Sequence, residues 1–187
     1  MDFCIKTGNI ILRPVSKIDS EVITKIMLDP ENIKMSGDEM NHAAISFIIN
    51  VKFPKYHNDY WDFLNFTINL DGNVIGIIQL VKIARVGHTF GLKNLNNACA
   101  IGISLSKTYW GKGIATEAIK LLSNFALNEM NITTIVSETL STNIGMKRVF
   151  TKVGYEYLST EISPHSGKQA DYYRYDKNIE DCKCNLF

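Results

Sequence analysis

The stretch that most narrows the choice of fold is "ACAIGISLSKTYWGKGIATEAIKLLSNFAL", Ala98 to Leu127. Ala98 to Leu105 reads as a strand. From Ile114 the apolar residues Ile114, Ala118, Leu121, Leu122, Phe125 and Ala126 recur three to four apart, the stripe of a half-buried helix. Between strand and stripe, two glycines flank a lysine. Glycine is a poor helix former, so Gly111 and Gly113 at a helix entrance cost local stability. What they offer is bare backbone where a helix has unpaired N–H groups and partial positive charge. Gly111, Lys112, Gly113, Ile114, Ala115 and Thr116 therefore fit a pyrophosphate cradle, with Lys112 adding charge and Thr116 a hydroxyl. The alternative is a plain glycine turn leading into a core helix. Two familiar phosphate loops fail on spacing. Ser106 and Gly113 stand where a P-loop needs Gly and Ser/Thr, and Thr116 stands where a dinucleotide fingerprint needs Gly or Ala.

The flanking chain supplies the rest of a mixed sheet. "NIILRPV" (Asn9 to Val15) suits a first strand. Lys17 to Leu28 carries Ile18, Val22, Ile23 and Ile26 at helical spacing and stops at Asp29-Pro30, and Ala43 to Val51 reads as a second helix. Trp61 to Leu70 and the run from Val74 flank Asp71-Gly72-Asn73, which predicts an antiparallel hairpin. After the glycine loop and its helix come a β-branched strand at Ile132 to Leu140 and a helix at Ile144 to Lys152 closed by Gly154. Strands at "YEYLST" and "DYYRYD" follow. This order implies an α/β fold around a mixed sheet, in a single domain spanning 1–187, with the charged tail after Asn178 a candidate for disorder.

Composition excludes several classes of function. Lys plus Arg number 20 against 19 Asp plus Glu, a net charge of +1, which argues against a nucleic-acid binder that works through bulk charge. No run approaches the roughly 18 apolar residues of a membrane span. The start, "MDFCIKTGNIIL", lacks the pattern of a secretory signal. The four cysteines, Cys4, Cys99, Cys182 and Cys184, form neither a disulfide framework nor a metal set, so reduced thiols in the cytoplasm are expected, with no metal.

With these residues in view, the chain resembles GNAT-type N-acetyltransferases. Their signature Gln/Arg-x-x-Gly-x-Gly/Ala is met with Gly113 and Ala115, and Trp110 takes the place of Gln or Arg. "YWGKGIATEA" and "NIGMKRVFTKVGYEY" are similar to the ribosomal-protein N-terminal acetyltransferase (RimJ/RimL-like) branch. The resemblance implies the GNAT acyl-CoA N-acyltransferase fold, a mostly antiparallel sheet splayed in the middle with flanking helices. It implies acetyl transfer from acetyl-CoA to a primary amine, on a small molecule or a protein N-terminus, directly through a tetrahedral intermediate. The splay would lie between Ala100–Leu105 and Ile132–Leu140. Backbone at Ile103, Ser104 and Leu105 would pair with the pantetheine arm and supply an oxyanion donor. Asn143 matches the family's cofactor-contacting asparagine, and a helix N-cap explains it equally from local sequence.

The catalytic residues are less clearly marked. Met146 and Phe150 occupy positions where relatives carry Ser or Tyr, and neither can donate a proton. Tyr155 is a weak candidate acid, and Tyr109 is another nearby hydroxyl; both also fit packed aromatics. Glu138, late in a strand facing the cleft, is the candidate base, with a solvated strand-end carboxylate as the alternative. Tyr60 and Trp61 are weak acceptor-site candidates within "KYHNDYWDF", a mixture that also suits a partly exposed strand entrance. The missing donors keep a second class open, a GNAT-fold module that binds acetyl-CoA with little catalysis. Oligomeric state is left between monomer and homodimer.

Overall fold

The computed structural model describes residues 4–37, 40–53, 61–83 and 97–177. Strands β1 (Ile5–Thr7) and β2 (Ile10–Pro14) form a hairpin, and β3 (Phe63–Leu70) and β4 (Asn73–Lys82) form another. The second closes through Asp71 and Gly72 at φ 50° and 83°, the pair of positive angles that matches strand twist in a two-residue turn. β5 (Ala98–Leu105), β6 (Thr134–Leu140), β7 (Glu156–Ile162) and β8 (Gln169–Asp176) complete one sheet in the order β1-β2-β3-β4-β5-β6-β8-β7. Every neighbouring pair is antiparallel except β5 and β6.

Helices cover both faces. α1 (Ser20–Met27), preceded by a 3-10 turn at Lys17–Asp19, packs with α3 (His42–Asn50), where Ile23, Met27, Ile45 and Ile49 enclose Ile77 of β4. On the opposite face, α4 (Ile114–Glu129) and α5 (Ile144–Val153) cover the main core. Ala118, Ile119, Leu122, Ala126 and Leu127 of α4 are buried there, the stripe read from the sequence. Each fully buried Leu or Ile contributes about 1.5–3 kcal/mol over an exposed one, so α4 is held by packing more than by propensity.

The sequence pattern missed two elements. The 3-residue β1 is too short to show alternation. α2 (Pro30–Ser36) was hidden because Pro30 read as a stop. It is instead a start. Asp29 caps the helix by accepting the Glu31 N–H at 2.9 Å, and proline occupies the first turn, where its missing N–H costs nothing. Gly37, at φ 81°, then ends α2 in the left-handed conformation.

Candidate active site

The site begins where the sheet comes apart. β5 and β6 pair only at Ala98–Thr134, Cys99–Ile135 and Ala100–Val136. Beyond that, β5 stays paired with β4 as far as Leu105, and β6 with β8 as far as Leu140. The two inner edges therefore diverge into a wedge. Ser137 marks its apex, donating its buried hydroxyl to the Ile101 carbonyl at 2.8 Å.

The alternation of an antiparallel ladder fixes which main-chain groups look into the wedge. Ser106 N–H bonds the Ile75 carbonyl at 2.9 Å, so Ser104 and Gly102 also turn their backbone toward β4. Ile103 and Leu105 turn theirs toward β6. The Leu105 carbonyl accepts Asn32 Nδ2 at 3.0 Å and Trp110 Nε1 at 2.9 Å. Ile103 thus aims both an N–H and a C=O into the opening, and Leu105 an N–H. Main-chain groups on a sheet's inner edge demand partners, and an extended amide-bearing arm supplies them. Of the residues expected to pair with the cofactor through backbone, Ile103 and Leu105 are so placed; Ser104 offers its side-chain face instead.

The glycine loop lies at the β5 end of the wedge. Gly111 and Gly113 have φ of 73° and 80°, and a Cβ built on either meets nothing within 4 Å. Open space there, at the first turn of α4, fits a phosphate group. Lys112 is exposed, its Nζ 5.4 Å from the Tyr109 ring centroid, and Ala115 and Thr116 are half-buried in the first turn. Ile114 is buried and anchors the helix start in the core. Trp110 packs against that core and braces Leu105, so its visible role is to hold the loop.

Asn143 fulfils one expectation geometrically. Its Oδ1 accepts the Met146 N–H at 3.1 Å as the cap of α5, and its Nδ2 donates to the Met35 carbonyl at 3.3 Å. α2 is therefore tied to both lips of the wedge. Asn32 fastens it to β5, while Asn143 and Lys168, whose Nζ reaches the Gly37 carbonyl at 3.4 Å, fasten it to the β6 side. Asn32 gave no local signal, since its partner is 73 residues away.

Glu138 projects on the α1/α3 face of the sheet, half-buried. Its Oε1 accepts the Ser163 hydroxyl at 3.1 Å. Its Oε2 is buried, and the carboxylate lies beside the Tyr172 phenol. Tyr172, opposite Glu138 in the register, has its phenol pushed up to about 12 by burial and then by the facing carboxylate.

Two expectations are corrected. Tyr155 is buried in the core, with its hydroxyl 2.8 Å from that of Ser123 on α4 and its ring stacked on Tyr175. Burial pushes the phenol far up, and its hydroxyl is paired with Ser123 inside the core, so the visible role of Tyr155 is packing. Trp61 is likewise a core residue, 6% exposed, with Lys82 Nζ 4.9 Å from its ring centroid. It does not line an acceptor site. Tyr60 lies outside the described residues. Met146 is partly buried and Phe150 buried, both packed in the α4/α5 core.

Comparison with known proteins agrees with this geometry. Residues 9–156 match the acetyltransferase (GNAT) domain family. The chain is 27% identical over 184 residues to the uncharacterized N-acetyltransferase C18E5.08 of Schizosaccharomyces pombe, covering 94% of this chain and 96% of that one. Aminoglycoside acetyltransferase AAC(6')-Ib, solved with paromomycin and acetyl-CoA, superposes with a TM-score of 0.76 at 15% identity, covering 96% and 99% of the two chains. Spermidine N-acetyltransferase from Vibrio cholerae, solved with CoA and spermine, gives 0.73 at 12% identity over 91% and 96%. The splayed sheet, the glycine cradle and the family match lead to one conclusion: this chain belongs to the GNAT acetyltransferase family and is an acetyl-CoA-dependent N-acetyltransferase.

Proposed function

We propose that the protein acetylates a primary amine by direct transfer, with Glu138 as the base. The observation that carries this is the half-buried Glu138 carboxylate, which lies beside the Tyr172 phenol at the edge of the wedge that would hold the thioester. A partly buried carboxylate is costly unless it is paired with a cation, and a protonated amine supplies that pairing. The acceptor nitrogen loses a proton to Glu138 and attacks the thioester carbonyl. The N–C bond forms, the nitrogen of the tetrahedral intermediate gives its second proton to solvent, the C–S bond breaks, and the thiolate leaves to take a proton from solvent. Ile103 N–H faces the region where the carbonyl oxygen gathers charge.

The motif form "YWGKGIATEA" supports the RimJ/RimL-like branch, and with it a protein N-terminal amine as one acceptor class. The acceptors named for the structural neighbours, an aminoglycoside and a polyamine, support small amines as the other. A second reading, a binding module with little turnover, is favoured by Met146 and Phe150 standing where proton donors are usual.

Glu138→Gln tests the assignment. Amine-dependent release of CoA should fall by about 10²–10⁴, while the acetyl-CoA dissociation constant stays at the wild-type value. Unchanged turnover across pH removes Glu138 from the mechanism. Wild-type protein that binds acetyl-CoA but releases no CoA with any amine establishes the binding-module reading.

A further inference from the structure

Where β6 leaves β5, Glu138 loses one of its two flanks. It stands two residues past Val136, the last residue of β6 that pairs with β5. The other flank is intact, and Tyr172 of β8 stands directly opposite Glu138 in the register. Opposite residues of an antiparallel pair carry their side chains on one face, with Cβ atoms about 4.5–5.5 Å apart. A carboxylate at the lip of an opening, flanked from one side, swings freely unless that side supplies hydrogen-bond donors.

Two hydroxyls supply them. Ser163, 1% exposed just after β7, donates to Glu138 Oε1 at 3.1 Å. The same hydroxyl oxygen accepts the His165 N–H at 3.2 Å and the Ser166 N–H at 3.3 Å. Those contacts fill its two acceptor positions, so its hydrogen is committed to the carboxylate. The turn that carries it is closed by Ser163 N–H to the Lys168 carbonyl at 2.8 Å and by Gly167 N–H to the Ser163 carbonyl at 2.9 Å. Tyr172 is 2% exposed and packs with Ile83, Ala98, Val136 and Ala170, whose side chains offer its hydroxyl nothing. A buried tyrosine hydroxyl needs a partner, and the Glu138 carboxylate meets it. Burial and then that carboxylate push the phenol up to about 12, so near neutral pH it keeps its proton and donates.

Resting on the reading of Glu138 as the base, we propose that Ser163 and Tyr172 are positioning residues that hold its carboxylate in one orientation at the lip of the wedge. Neither touches the reacting atoms. Ser163 fixes one oxygen from the β7–β8 turn, and Tyr172 steadies the group from the neighbouring strand. The same turn sends Lys168 Nζ to the Gly37 carbonyl, so the hold on Glu138 and a tie to α2 share one short segment. A carboxylate fixed in this way meets the amine along one direction, and a misplacement of about 1 Å can cost on the order of 10²-fold in rate. Hydroxyls that only satisfied a half-buried carboxylate would matter to stability and not to turnover.

The test is a double-mutant cycle through Glu138, with spermidine and a tetrapeptide with an N-terminal alanine as acceptors and CoA thiol release as the readout. Ser163→Ala and Tyr172→Phe each remove one hydroxyl and keep the rest of the side chain. Each should lower kcat by about tenfold or more, with acceptor KM and the acetyl-CoA dissociation constant unchanged. In the Glu138→Gln background neither should lower kcat further, because the orientation of an inactive group no longer matters. A general loss of folded protein would instead appear in both backgrounds. Equal losses in the two backgrounds, or wild-type kcat in either single variant, overturn the positioning and leave Glu138 as the base. Glu138→Gln at the wild-type rate overturns the base itself. A wild type that binds acetyl-CoA and releases no CoA with either acceptor overturns the acetyl-transfer reading.

Discussion

Ser137 donates its hydroxyl to the Ile101 carbonyl at 2.8 Å, one residue beyond the last pair joining β5 to β6. The bond replaces the next rung of the ladder with a side chain and so sets where the strands part. Both residues are buried, so Ser137→Ala leaves a carbonyl without its donor. The variant should lose about 1–3 kcal/mol in urea denaturation, and acetyl-CoA should bind more weakly because the apex is no longer held. Wild-type stability would show that water takes over the bond.

Gly113 separates backbone strain from charge in the phosphate cradle. At φ 80°, any side chain costs about 1–2 kcal/mol, yet the space around the position is open. Gly113→Ala and Gly113→Glu should therefore lower the thermal midpoint alike. Only Gly113→Glu should weaken acetyl-CoA binding by a further factor of ten or so, through repulsion of the pyrophosphate. Equal dissociation constants for the two variants would remove Gly113 from phosphate contact.

Tyr155→Phe distinguishes packing from proton donation. The substitution strips a hydroxyl from the core and leaves Ser123, which is fully buried, without its partner at 2.8 Å. Stability should drop by about 1–3 kcal/mol while kcat stays at the wild-type value and keeps its pH profile. A selective loss of kcat would return Tyr155 to the mechanism.

The parts of this fold legible in the sequence are those written in local pattern. The Asp71-Gly72 turn, the α4 stripe and the glycine loop each rest on a few neighbouring residues whose conformational demands are local. α2 escaped because seven residues show little periodicity and Pro30 can open a helix as well as end one. Trp61 misled because the polar residues around it in KYHNDYWDF suggest an exposed strand entrance, whereas its ring packs into the core just ahead of β3. Asn32, Ser137 and Ser163 gave no signal at all. Their partners Leu105, Ile101 and Glu138 become neighbours only when the strands align.

Acid should weaken the far side of the sheet first. Asp171, 3% exposed, accepts from Ser141 at 2.5 Å and Thr160 at 2.8 Å and pairs with Lys147 at 2.5 Å, beside a cleft of about 530 Å³. Burial alone would raise its pKa, but these donors together hold it below the usual carboxylate value. A depressed folded-state pKa stabilises the protein above the unfolded value of about 3.9, and that contribution is lost as pH falls through the folded value. Asp171→Asn should therefore cost most near neutral pH, and the gap to wild type should close in strong acid. A gap in thermal midpoint that does not change between pH 7 and pH 3 would show that packing, not charge, is what Asp171 supplies.

The seven-residue α2 is anchored through Asn32 at one end and through Met35 and Gly37 at the other. At 1.5 Å per residue it is a strut of about 10 Å set between two half-sheets that share only three rungs. On the proposed cofactor site, its length would gauge the aperture that admits the donor's arm. Shortening or lengthening this one element by a residue would rotate an anchor off its target and change the gap. Relatives could thus retune cofactor fit without touching any residue that meets the cofactor.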